Sequence, residues 1–411
     1  MKLGPMIFQT LDDKDECVGI YTDNALIFDA AKFPTTLSRT WSYAPYLQNY
    51  DVEYANLYLE GEPLGSILPE YLRDDWEEVF SRLQAFKRSL STAQVDLSET
   101  CFYDLVPTRF LIDLCEVKNK ITEHIFQNIP RPARYEFYKK MGMLLEEISH
   151  QPIRIDKRII SSYATTPKYH NQCTNLLECA PYVTYDLFGT KTGRLTTTKA
   201  SFPILTLNRS FRDAILPHHD YYIELDFNGA EIRTLLGLLG RPQPPEDVHQ
   251  FHLDTVFPDG TTREQAKTIF FAWLYGSRTA ASPEVMKKLE DYYQKDEILN
   301  EYWDGSHIRT PYHKVIENTS AHHALNYLVQ STAADLSLLQ FLKVNELLKT
   351  QGSGSRIAFL IHDAVVLDFK KEDEHLINSI VQLMSSTRFG NFKINIKRGK
   401  SLGKMRSTEN G

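Results

Sequence analysis

The stretch that decides the fold is YYIELDF, residues 221–227. Alternate side chains of an extended strand point to opposite faces, so its apolar residues share one face while Glu224 and Asp226 share the other. The residues that follow, NGAE, are typical of a helix start with Asn228 as the N-cap and Glu231 three positions later. Asp226 is therefore expected at the end of a strand, where a carboxylate is held rigidly and can still reach solvent.

A second aspartate lies at a comparable place in an apolar hairpin. Residues 357–369 contain two apolar runs separated by His362 and Asp363, a pattern that predicts a strand, a tight turn and a second strand. One such aspartate is ordinarily a turn residue. Two carboxylates on different strands, however, can hold two divalent cations ~4 Å apart and stabilise the attacking and leaving oxygens of phosphoryl transfer. Mg²⁺ fits this arrangement because it prefers oxygen ligands and shares its shell with substrate phosphates.

A helix predicted near residues 262–275 combines positive charge with aromatic rings. Arg263, Lys267, Phe271 and Tyr275 recur at every fourth position and so fall on one stripe of the helix. The two cations lie at the N-terminal end, where the helix dipole adds positive character. Such a stripe is typical of an amphipathic helix with a basic surface. It also suits a nucleoside triphosphate, with charge for the phosphates and a flat surface for the sugar and base.

The composition excludes several classes of protein. The chain has 411 residues, of which 42% are hydrophobic and 24% charged, and these are the proportions of globular domains rather than of collagen, coiled coils or disordered chains. The net charge is −7, so any nucleic acid must bind through local basic patches. Residues 388–406 hold seven basic and no acidic side chains, and this segment is either a solvated end or a patch that contacts phosphates.

The cysteines and the lack of targeting signals bear on the location of the protein. Five cysteines without a CxxC pair predict buried free thiols in a reducing compartment rather than a disulfide framework or a zinc site. No apolar run reaches the ~18–20 residues of a membrane span, and residues 1–10 lack a secretory signal pattern. A cytoplasmic protein is expected, in the host cytoplasm if the chain is viral.

Taken together, the motifs resemble those of family A DNA polymerases. The resemblance covers residues 182–404 and rests on five motifs that occur in the family's order. They are TGRL at 192–195, DFNGAEIR at 226–233, the R-x3-K-x3-F-x3-YG spacing at 263–276, the N-x3-Q-x-TAAD pattern at 326–335 and IHD at 361–363. One of these motifs alone would be weak, whereas five in order are specific.

The resemblance implies catalytic and metal-binding roles. Asp226 and Asp363 would ligate two Mg²⁺ ions, with Mn²⁺ as the alternative, and the backbone carbonyl of Phe227 would complete one coordination shell. Lys267 would contact the triphosphate and could protonate the departing pyrophosphate. These roles agree with the chemistry that the residue types suggest on their own.

The resemblance also implies how the nucleotide and the DNA would be held. In the nucleotide site, Arg263, Lys267 and His249 would contact the triphosphate, Phe271 would stack near the incoming nucleotide, Tyr275 would lie beside the nascent pair, and Glu231 would exclude a 2′-hydroxyl. The DNA-binding residues would be Arg194, Arg212, Asn326 and Gln330 in the minor groove and His362 beside the primer terminus. Minor-groove acceptors are nearly the same for all base pairs, so contacts there test pair geometry rather than sequence.

The sequence departs from the family's pattern at several places. Ala364 stands where the family usually has Glu, Gly229 replaces the usual Gln, and His322 replaces the usual Arg. Residues 277–319 are short for outer fingers, and residues 156–182 are too short for a full thumb. No exonuclease carboxylate set is recognisable, so a polymerase without intrinsic proofreading is expected.

The fold class implied by the resemblance is α+β: a right-hand polymerase with an antiparallel palm sheet, helical fingers and a reduced helical thumb, plus a small N-terminal α/β domain. Its expected parts are residues 1–75 for the N-terminal domain, a possible exonuclease-like remnant, 76–180 for a helical linker and thumb, 181–245 and 320–411 for the palm, and 246–319 for the fingers. The expected protein is a compact, phage-type enzyme, a monomer without membrane contact. Its partners would be primer-template DNA, dNTP and a separate exonuclease or processivity factor.

Three rival functions remain. A single-subunit RNA polymerase shares the palm layout, but Glu231 as a bulky gate and the TGR segment favour DNA. A catalytically dead primer-template binder would not need Asp226, Asp363, Lys267 and Arg263 together. A metal phosphohydrolase based on His362 and Asp363 would require more histidine ligands than their surroundings offer.

Overall fold

The computed structural model describes residues 6–7, 19–22, 25–35, 37–95, 100–277 and 279–407. The chain forms two compact units, residues 1–150 and residues 151–411. None of the helices within these described ranges is long and apolar enough to cross a membrane.

The first unit is mainly helical, with short strands at its beginning. Its strands are β1 (Met6–Ile7), β2 (Ile20–Thr22), β3 (Ala25–Ile27), β4 (Arg39–Thr40) and β5 (Glu53–Tyr54), and its helices are α1 (Ala55–Tyr58), α2 (Arg73–Thr92), α3 (Thr108–Asn128) and α4 (Tyr135–Ser149). β1, β2 and β3 form an antiparallel sheet, and β4 pairs with β5 in parallel. Helical spacing of apolar residues over 77–90 and 134–148 predicts α2 and α4 correctly, whereas the same spacing over 121–129 predicts only the second half of α3. Asp23 and Asn24, expected to form the turn after β2, lie outside the described residues.

The cysteines agree only in part with the sequence pattern. Cys115, Cys173 and Cys179 carry free thiols, as predicted. Cys101 is disulfide-bonded, which the lack of a CxxC pair did not predict. Cys17 lies outside the described residues.

The second unit contains the segments that resemble a polymerase. Its helices are α5 (Lys157–Ser162), α6 (His170–Glu178), α7 (Ala230–Leu238), α8 (Val248–Val256), α9 (Arg263–Leu274), α10 (Pro283–Tyr293), α11 (Lys295–Tyr302), α12 (Ala321–Thr350) and α13 (Ile377–Ser385). Its strands are β6 (Arg154–Ile155), β7 (Tyr185–Asp186), β8 (Thr196–Thr197), β9 (Ile215–Leu216), β10 (Tyr221–Phe227), β11 (Ile308–Arg309), β12 (Val315–Ile316), β13 (Arg356–Ile361), β14 (Ala364–Phe369), β15 (Ser386–Thr387), β16 (Gly390–Asn391), β17 (Ile394–Gly399) and β18 (Arg406–Ser407).

A five-stranded antiparallel sheet organises this unit. Its order is β13-β14-β10-β17-β18, so the strand that carries Asp226 is central. Ile223, Leu225 and Phe227 are buried on one face, as their alternation predicted, because that face packs into the core. β13 and β14 form the predicted hairpin, and His362 and Asp363 are the two residues between them.

The helix after β10 begins differently from its predicted capping box. Gly229, not Asn228, is the N-cap of α7, and it adopts a left-handed conformation with φ of +68°. The Asn228 side chain instead forms hydrogen bonds with Asp247 and Val248, about 20 residues further along the chain. Its Oδ1 accepts a hydrogen bond from the backbone N–H of Val248 at 2.8 Å, and its Nδ2 donates to Asp247 Oδ2 at 2.9 Å.

The helices α8 to α11, called the insert below, pack around an apolar core that α7 and α12 complete. Phe270, Trp273 and Leu289 are each at most 2% exposed within it. The sequence of residues 283–302 predicts a single helix. This prediction is wrong, because Gln294 has φ of +45° and separates α10 from α11. The long helix α12 then packs against α7, α11 and α13.

His252 is a titratable side chain in the core of this insert. Its ring lies edge-on to Phe270, with centroids 4.7 Å apart, and also contacts the rings of Phe257 and Tyr293. No described residue forms a hydrogen bond with its Nε2 atom. Burial, and to a smaller extent the neighbouring His249, lowers the pKa of His252 to about 3.

This pKa predicts that acid destabilises the insert. Below the ordinary histidine pKa of about 6.5 the unfolded chain binds a proton that the folded chain does not, so the free energy of unfolding decreases as the pH falls from about 6.5 towards 3. We expect His252→Phe to reduce the loss between pH 7 and pH 4.5 by about 2 kcal/mol. Urea unfolding at the two pH values measures this difference. His375→Phe, at an exposed position of the same unit, should leave the pH dependence unchanged, and an equal slope for His252→Phe and the wild type would contradict the prediction.

Candidate active site

A cavity of about 430 Å³ opens at the C-terminal end of β10. β10, the β13–β14 turn, α7, α9 and α12 all contribute to its walls. The predicted site residues that line it are Arg194, Asp226, Phe227, Glu231, His249, Arg263, Lys267, Phe271, Tyr275, His362 and Asp363. Residues far apart in the sequence therefore meet at one concave surface.

Strand pairing brings the two aspartates together. Asp226 on β10 lies opposite Ala364 on β14, which follows Asp363 directly. The backbone N–H of Phe227 is 3.5 Å from the carbonyl oxygen of Asp363. The Cα atoms of paired residues lie about 5 Å apart, and those of chain neighbours lie about 3.8 Å apart. The Cα atoms of Asp226 and Asp363 are therefore less than about 10 Å apart.

The electrostatics of the pair favour a bound cation. Burial, and then the charge of Asp363, raises the pKa of Asp226 to about 7. Burial also raises the pKa of Asp363. Two half-buried carboxylates with raised pKa values are poorly compensated as anions, and divalent cations that prefer oxygen ligands would compensate them.

The donor set available for a metal is small but chemically suitable. Asp226, Asp363 and the main chain of Phe227 all line the cavity and offer hard oxygen donors. Within the described residues no group of three or more His, Cys, Asp or Glu side chains could hold a metal ion. The residues present therefore fit a magnesium site that would share its coordination shell with substrate oxygens rather than one enclosed by protein.

α9 presents its charged and aromatic stripe to the cavity. Thr262 caps the helix in a capping box with Gln265, and the positive φ of Gly276 follows its C-terminus. The stripe residues Arg263, Lys267, Phe271 and Tyr275 all line the cavity, with the rings of the last two 5.9 Å apart. The positive charge therefore lies at one end of the stripe and the aromatic surface at the other, as the spacing predicted.

Asp247 holds Arg263 at the cationic end. The guanidinium Nη2 donates to both Asp247 carboxylate oxygens, at 3.2 and 3.0 Å. Asp247 also caps α8 by accepting from the N–H groups of His249 and Gln250. Burial alone would raise the pKa of Asp247, but hydrogen bonds from Arg263 and Asn228 hold it well below its usual range. The Arg263 side chain is thus oriented by a carboxylate that is itself fixed.

A buried arginine fixes the loop that leads to Asp247. Arg233 is fully buried, and its guanidinium donates to Asn228 O at 2.7 Å, Pro244 O at 2.7 Å and Glu246 O at 2.8 Å. Each of these acceptors lies on a segment that borders the cavity, after β10 or before α8. The arginine therefore joins the end of the sheet to the start of the helical insert.

Gly229 allows α8 to approach β10. A Cβ atom at this position would lie 2.3 Å from Val248 Cγ1 and 3.4 Å from His249 Nε2. A side chain at position 229 would therefore overlap α8. His249 lies at the cavity because of this approach, and burial together with the charge of Lys267 lowers its pKa to about 4, so the ring is neutral at neutral pH.

Glu231 connects two other predicted site residues. It is buried in the first turn of α7 and forms an ion pair with Arg194. Burial raises its pKa although the charge of Arg194 opposes this. Tyr275, at the end of α9, lies close to the Glu231 carboxylate and forms a hydrogen bond with it. Burial is the main cause that raises the pKa of Tyr275, and the charge of Glu231 is the second.

Three predicted DNA-binding residues lie outside the cavity wall. Gln330 accepts a hydrogen bond from the Thr192 hydroxyl at 2.8 Å, which joins α12 to the TGR segment. Asn326 is one helical turn away, and its buried Oδ1 has no hydrogen-bond partner among the described residues. Arg212 is half-buried and donates to Leu207 O at 3.4 Å. His362, by contrast, lines the cavity, is exposed and has φ of +57°.

The comparisons with known proteins agree with this geometry. A family model described as DNA polymerase family A matches residues 284–405. The POL domain of Pol1 from M. smegmatis, solved in complex with DNA primer-template and dNTP, superimposes with a TM-score of 0.69. The match covers 97% of this chain and 95% of that domain at 14% sequence identity, so it concerns the fold. Over residues 284–405 the chain is similar to DNA polymerase family A. Its fold is the α+β polymerase fold with an antiparallel sheet, as expected.

Two curated relatives extend the comparison. DNA polymerase I of Caldicellulosiruptor bescii is 23% identical over 368 residues, which cover 68% of this chain and 43% of the relative. The thermostable DNA polymerase I of Thermus aquaticus is 27% identical over 228 residues, which cover 44% of this chain and 27% of the relative. The chain therefore spans less than half the length of the curated relatives that it matches.

Sequence reasoning missed two polar residues that contribute to the candidate site. Asp247 belongs to none of the recognised motifs, although an N-cap residue is a recognisable signal. Asn395 lines the cavity from β17 and donates to Asp226 Oδ2 at 3.3 Å. Its position follows from the register between β10 and β17, which no local pattern specifies.

The close approach at Gly229 predicts the effect of adding a methyl group. We expect Gly229→Ala to lower the free energy of unfolding, because Val248 must move and His249 moves with it. The unfavourable φ adds about 1–3 kcal/mol of strain. Val248→Ala in the same chain should recover part of the loss, so the two substitutions should not be additive.

Gly240→Ala is the matched control for this experiment. Gly240 has a similar φ of +64°, but a Cβ there would meet nothing within 4 Å. It therefore reports the backbone strain without the steric overlap. Equal losses for Gly229→Ala and Gly240→Ala, measured by urea unfolding, would show that the contact with Val248 is unimportant.

Proposed function

We propose that this chain is a DNA-directed DNA polymerase that adds dNTPs to the 3′-hydroxyl of a primer on a template. One observation carries the proposal: Asp226 and Asp363, from different strands, border the same cavity as the cationic-aromatic stripe of α9. This arrangement offers negative side chains for metal ions and a positive helix end for a triphosphate in one cavity. The proposed reaction forms a phosphodiester bond at the α-phosphate and releases pyrophosphate.

The proposed chemistry depends mainly on positioning and charge. Bound divalent ions, Mg²⁺ or Mn²⁺, would supply Lewis-acid stabilisation of the attacking and leaving oxygens. Asp226, Asp363 and the carbonyl of Phe227 would hold them. Lys267 would neutralise the triphosphate and donate a proton to the departing pyrophosphate.

The triphosphate would bind at the N-terminal end of α9. Arg263 and Lys267 supply positive charge there, and neutral His249 can donate one hydrogen bond to a phosphate oxygen. The fixed orientation of Arg263 by Asp247 supports this role because little side-chain freedom is left to lose on binding. Phe271 and Tyr275 would then cover the sugar and base.

The choice of sugar would depend on Glu231. This side chain is buried beside the cavity and is held by Arg194, so it can exclude a 2′-hydroxyl by occupying space. Its location supports DNA synthesis over the rival RNA polymerase. The accessory-binder hypothesis is disfavoured because a protein that only binds DNA gains nothing from two carboxylates whose charges oppose each other.

The primer-template duplex would lie against the TGR segment and α12. Arg194, Arg212, Asn326 and Gln330 are the proposed minor-groove contacts, and exposed His362 the contact to the primer terminus. The solved Pol1 POL domain binds primer-template DNA and dNTP, which supports the same ligands for this chain. Its expected subdivision into palm, fingers and thumb is part of the proposal.

The finer properties of the enzyme are also proposals. The lack of a recognisable exonuclease carboxylate set supports a polymerase without intrinsic proofreading, served by a separate exonuclease or processivity factor. A compact, phage-type monomer working in the cytoplasm, the host cytoplasm if the chain is viral, fits this description.

Removal of one metal-binding carboxylate tests the proposed activity. We expect Asp226→Asn to lower the rate of primer extension at least about 10³-fold, because a neutral amide cannot hold the cations that stabilise the transferred phosphoryl group. Single-nucleotide extension of a labelled primer measures the rate. Asp291→Asn, an exposed position on α10, is the control and should retain the wild-type rate. Extension by Asp226→Asn at the wild-type rate would refute the proposed site.

Enlarging the space beside the sugar tests the proposed selectivity. We expect Glu231→Ala to reduce the preference for dNTP over rNTP by about 10–200-fold, the range typical for loss of one steric contact. Comparison of kcat/KM for dATP and ATP on the same primer measures it. Arg194→Ala releases Glu231 from its ion pair but keeps the Glu231 side chain, so it should reduce the preference less than Glu231→Ala does. An unchanged preference in Glu231→Ala would exclude the gating role.

A further inference from the structure

β17 presents a row of polar side chains to the active-site face of β10. In the register of these two strands, Asn395 lies opposite Asp226 and Lys397 lies opposite Glu224. Because side chains alternate along a strand, all four point to the same face of the sheet. Each of these two polar side chains on β17 thus has a carboxylate directly across from it on β10.

The two cross-strand pairs form different contacts. Lys397 makes an ion pair with Glu224, one strand repeat away from the cavity. Asn395 lines the cavity itself and donates from Nδ2 to Asp226 Oδ2 at 3.3 Å. Among the described residues, Asn395 is the one side chain that donates a hydrogen bond to the Asp226 carboxylate.

The residue that pairs with Asp226 on its other side, on β14, cannot replace the hydrogen bond from Asn395. Across β14 the partner of Asp226 is Ala364, whose methyl group neither donates nor accepts a hydrogen bond. The carboxylate therefore lies between an apolar residue on one side and an amide on the other. Its rotation about the Cβ–Cγ bond is restrained from the β17 side.

We propose that Asn395 is a positioning residue for Asp226, an inference that rests on the proposed polymerase function. Its amide holds Oδ2, so that Oδ1 is directed into the cavity, where a divalent ion would bind. A carboxamide suits this role because it donates a hydrogen bond without neutralising the carboxylate, whereas a lysine at the same place would compete with the cation. Lys397, one repeat away, instead forms its ion pair with Glu224.

The matched variants are Asn395→Leu and Asn395→Gln. Leucine is of similar size to asparagine but has no donor, and glutamine keeps the amide donor. Partners that orient metal-binding side chains typically contribute 10–100-fold to metal affinity or activity. We therefore expect the Mg²⁺ concentration for half-maximal primer extension to rise about 10–100-fold in Asn395→Leu and less in Asn395→Gln. KM for dNTP at saturating Mg²⁺ should change little, because α9 is untouched.

A second readout does not depend on activity. Titration of the full chain with Mn²⁺, followed by the electron paramagnetic resonance signal of the free ion, should show weaker binding by Asn395→Leu than by the wild type. Asn391→Leu, an exposed asparagine on β16, is the control and should match the wild type in both assays. Thermal unfolding of each variant checks that it is folded, and Asn395→Ala replaces the leucine variant if that variant does not fold.

The outcomes separate this inference from the proposed function. Equal Mn²⁺ binding and an equal Mg²⁺ requirement in Asn395→Leu and the wild type would overturn the positioning role. The role would also be overturned if Asn395→Gln were as impaired as Asn395→Leu, because the donor would then be irrelevant. Failure of the wild type itself to extend a primer would refute the proposed function, while the Mn²⁺ titration would still test the contact between Asn395 and Asp226.

Discussion

The pairing of β10 with β14 is the constraint on which the rest of the site depends. It brings Asp226 beside Asp363 although 136 residues separate them in the chain. A slip of one residue in this register would turn Asp226 into the core and Leu225 towards the cavity. The alternation of the strand prevents such a slip, since Ile223, Leu225 and Phe227 are each at most 2% exposed on the opposite face.

This pairing has an electrostatic cost that the surrounding strands moderate. Burial raises the pKa of both Asp226 and Asp363, and the charge of Glu224 contributes to the same effect at each of them. Lys397, in the basic segment at residues 388–406, partly offsets this, because it pairs with Glu224 and its charge lowers the pKa of Asp226. In the same segment Arg398 forms an ion pair with Glu374. The sequence left two interpretations of that segment, a solvated end or a patch that contacts phosphates. The ion pairs add a third interpretation, in which part of the segment stabilises the sheet.

Local sequence patterns predicted β10, the β13–β14 hairpin and the stripe of α9, because each depends on alternation or helical periodicity within one segment. They failed where long-range contacts decide the structure. The N-cap of α7 is Gly229 because Asn228 bonds to Asp247 and Val248, and the helix predicted over 283–302 breaks at Gln294. The contact of Asn395 with Asp226 depends on the register of two strands that are distant in sequence, so no local pattern could reveal it.

The end of β10 also links the two halves of the candidate site. Two residues after Asp226, Asn228 bonds to Asp247, and Asp247 in turn holds Arg263 at the start of α9. Buried Arg233 fixes the backbone on both sides of this link. The carboxylates at one end of the cavity and the guanidinium at the other are therefore positioned by one continuous set of hydrogen bonds. A displacement of the strand end would move both together, and the proposed binding of a phosphate between a negative and a positive surface requires this coupling.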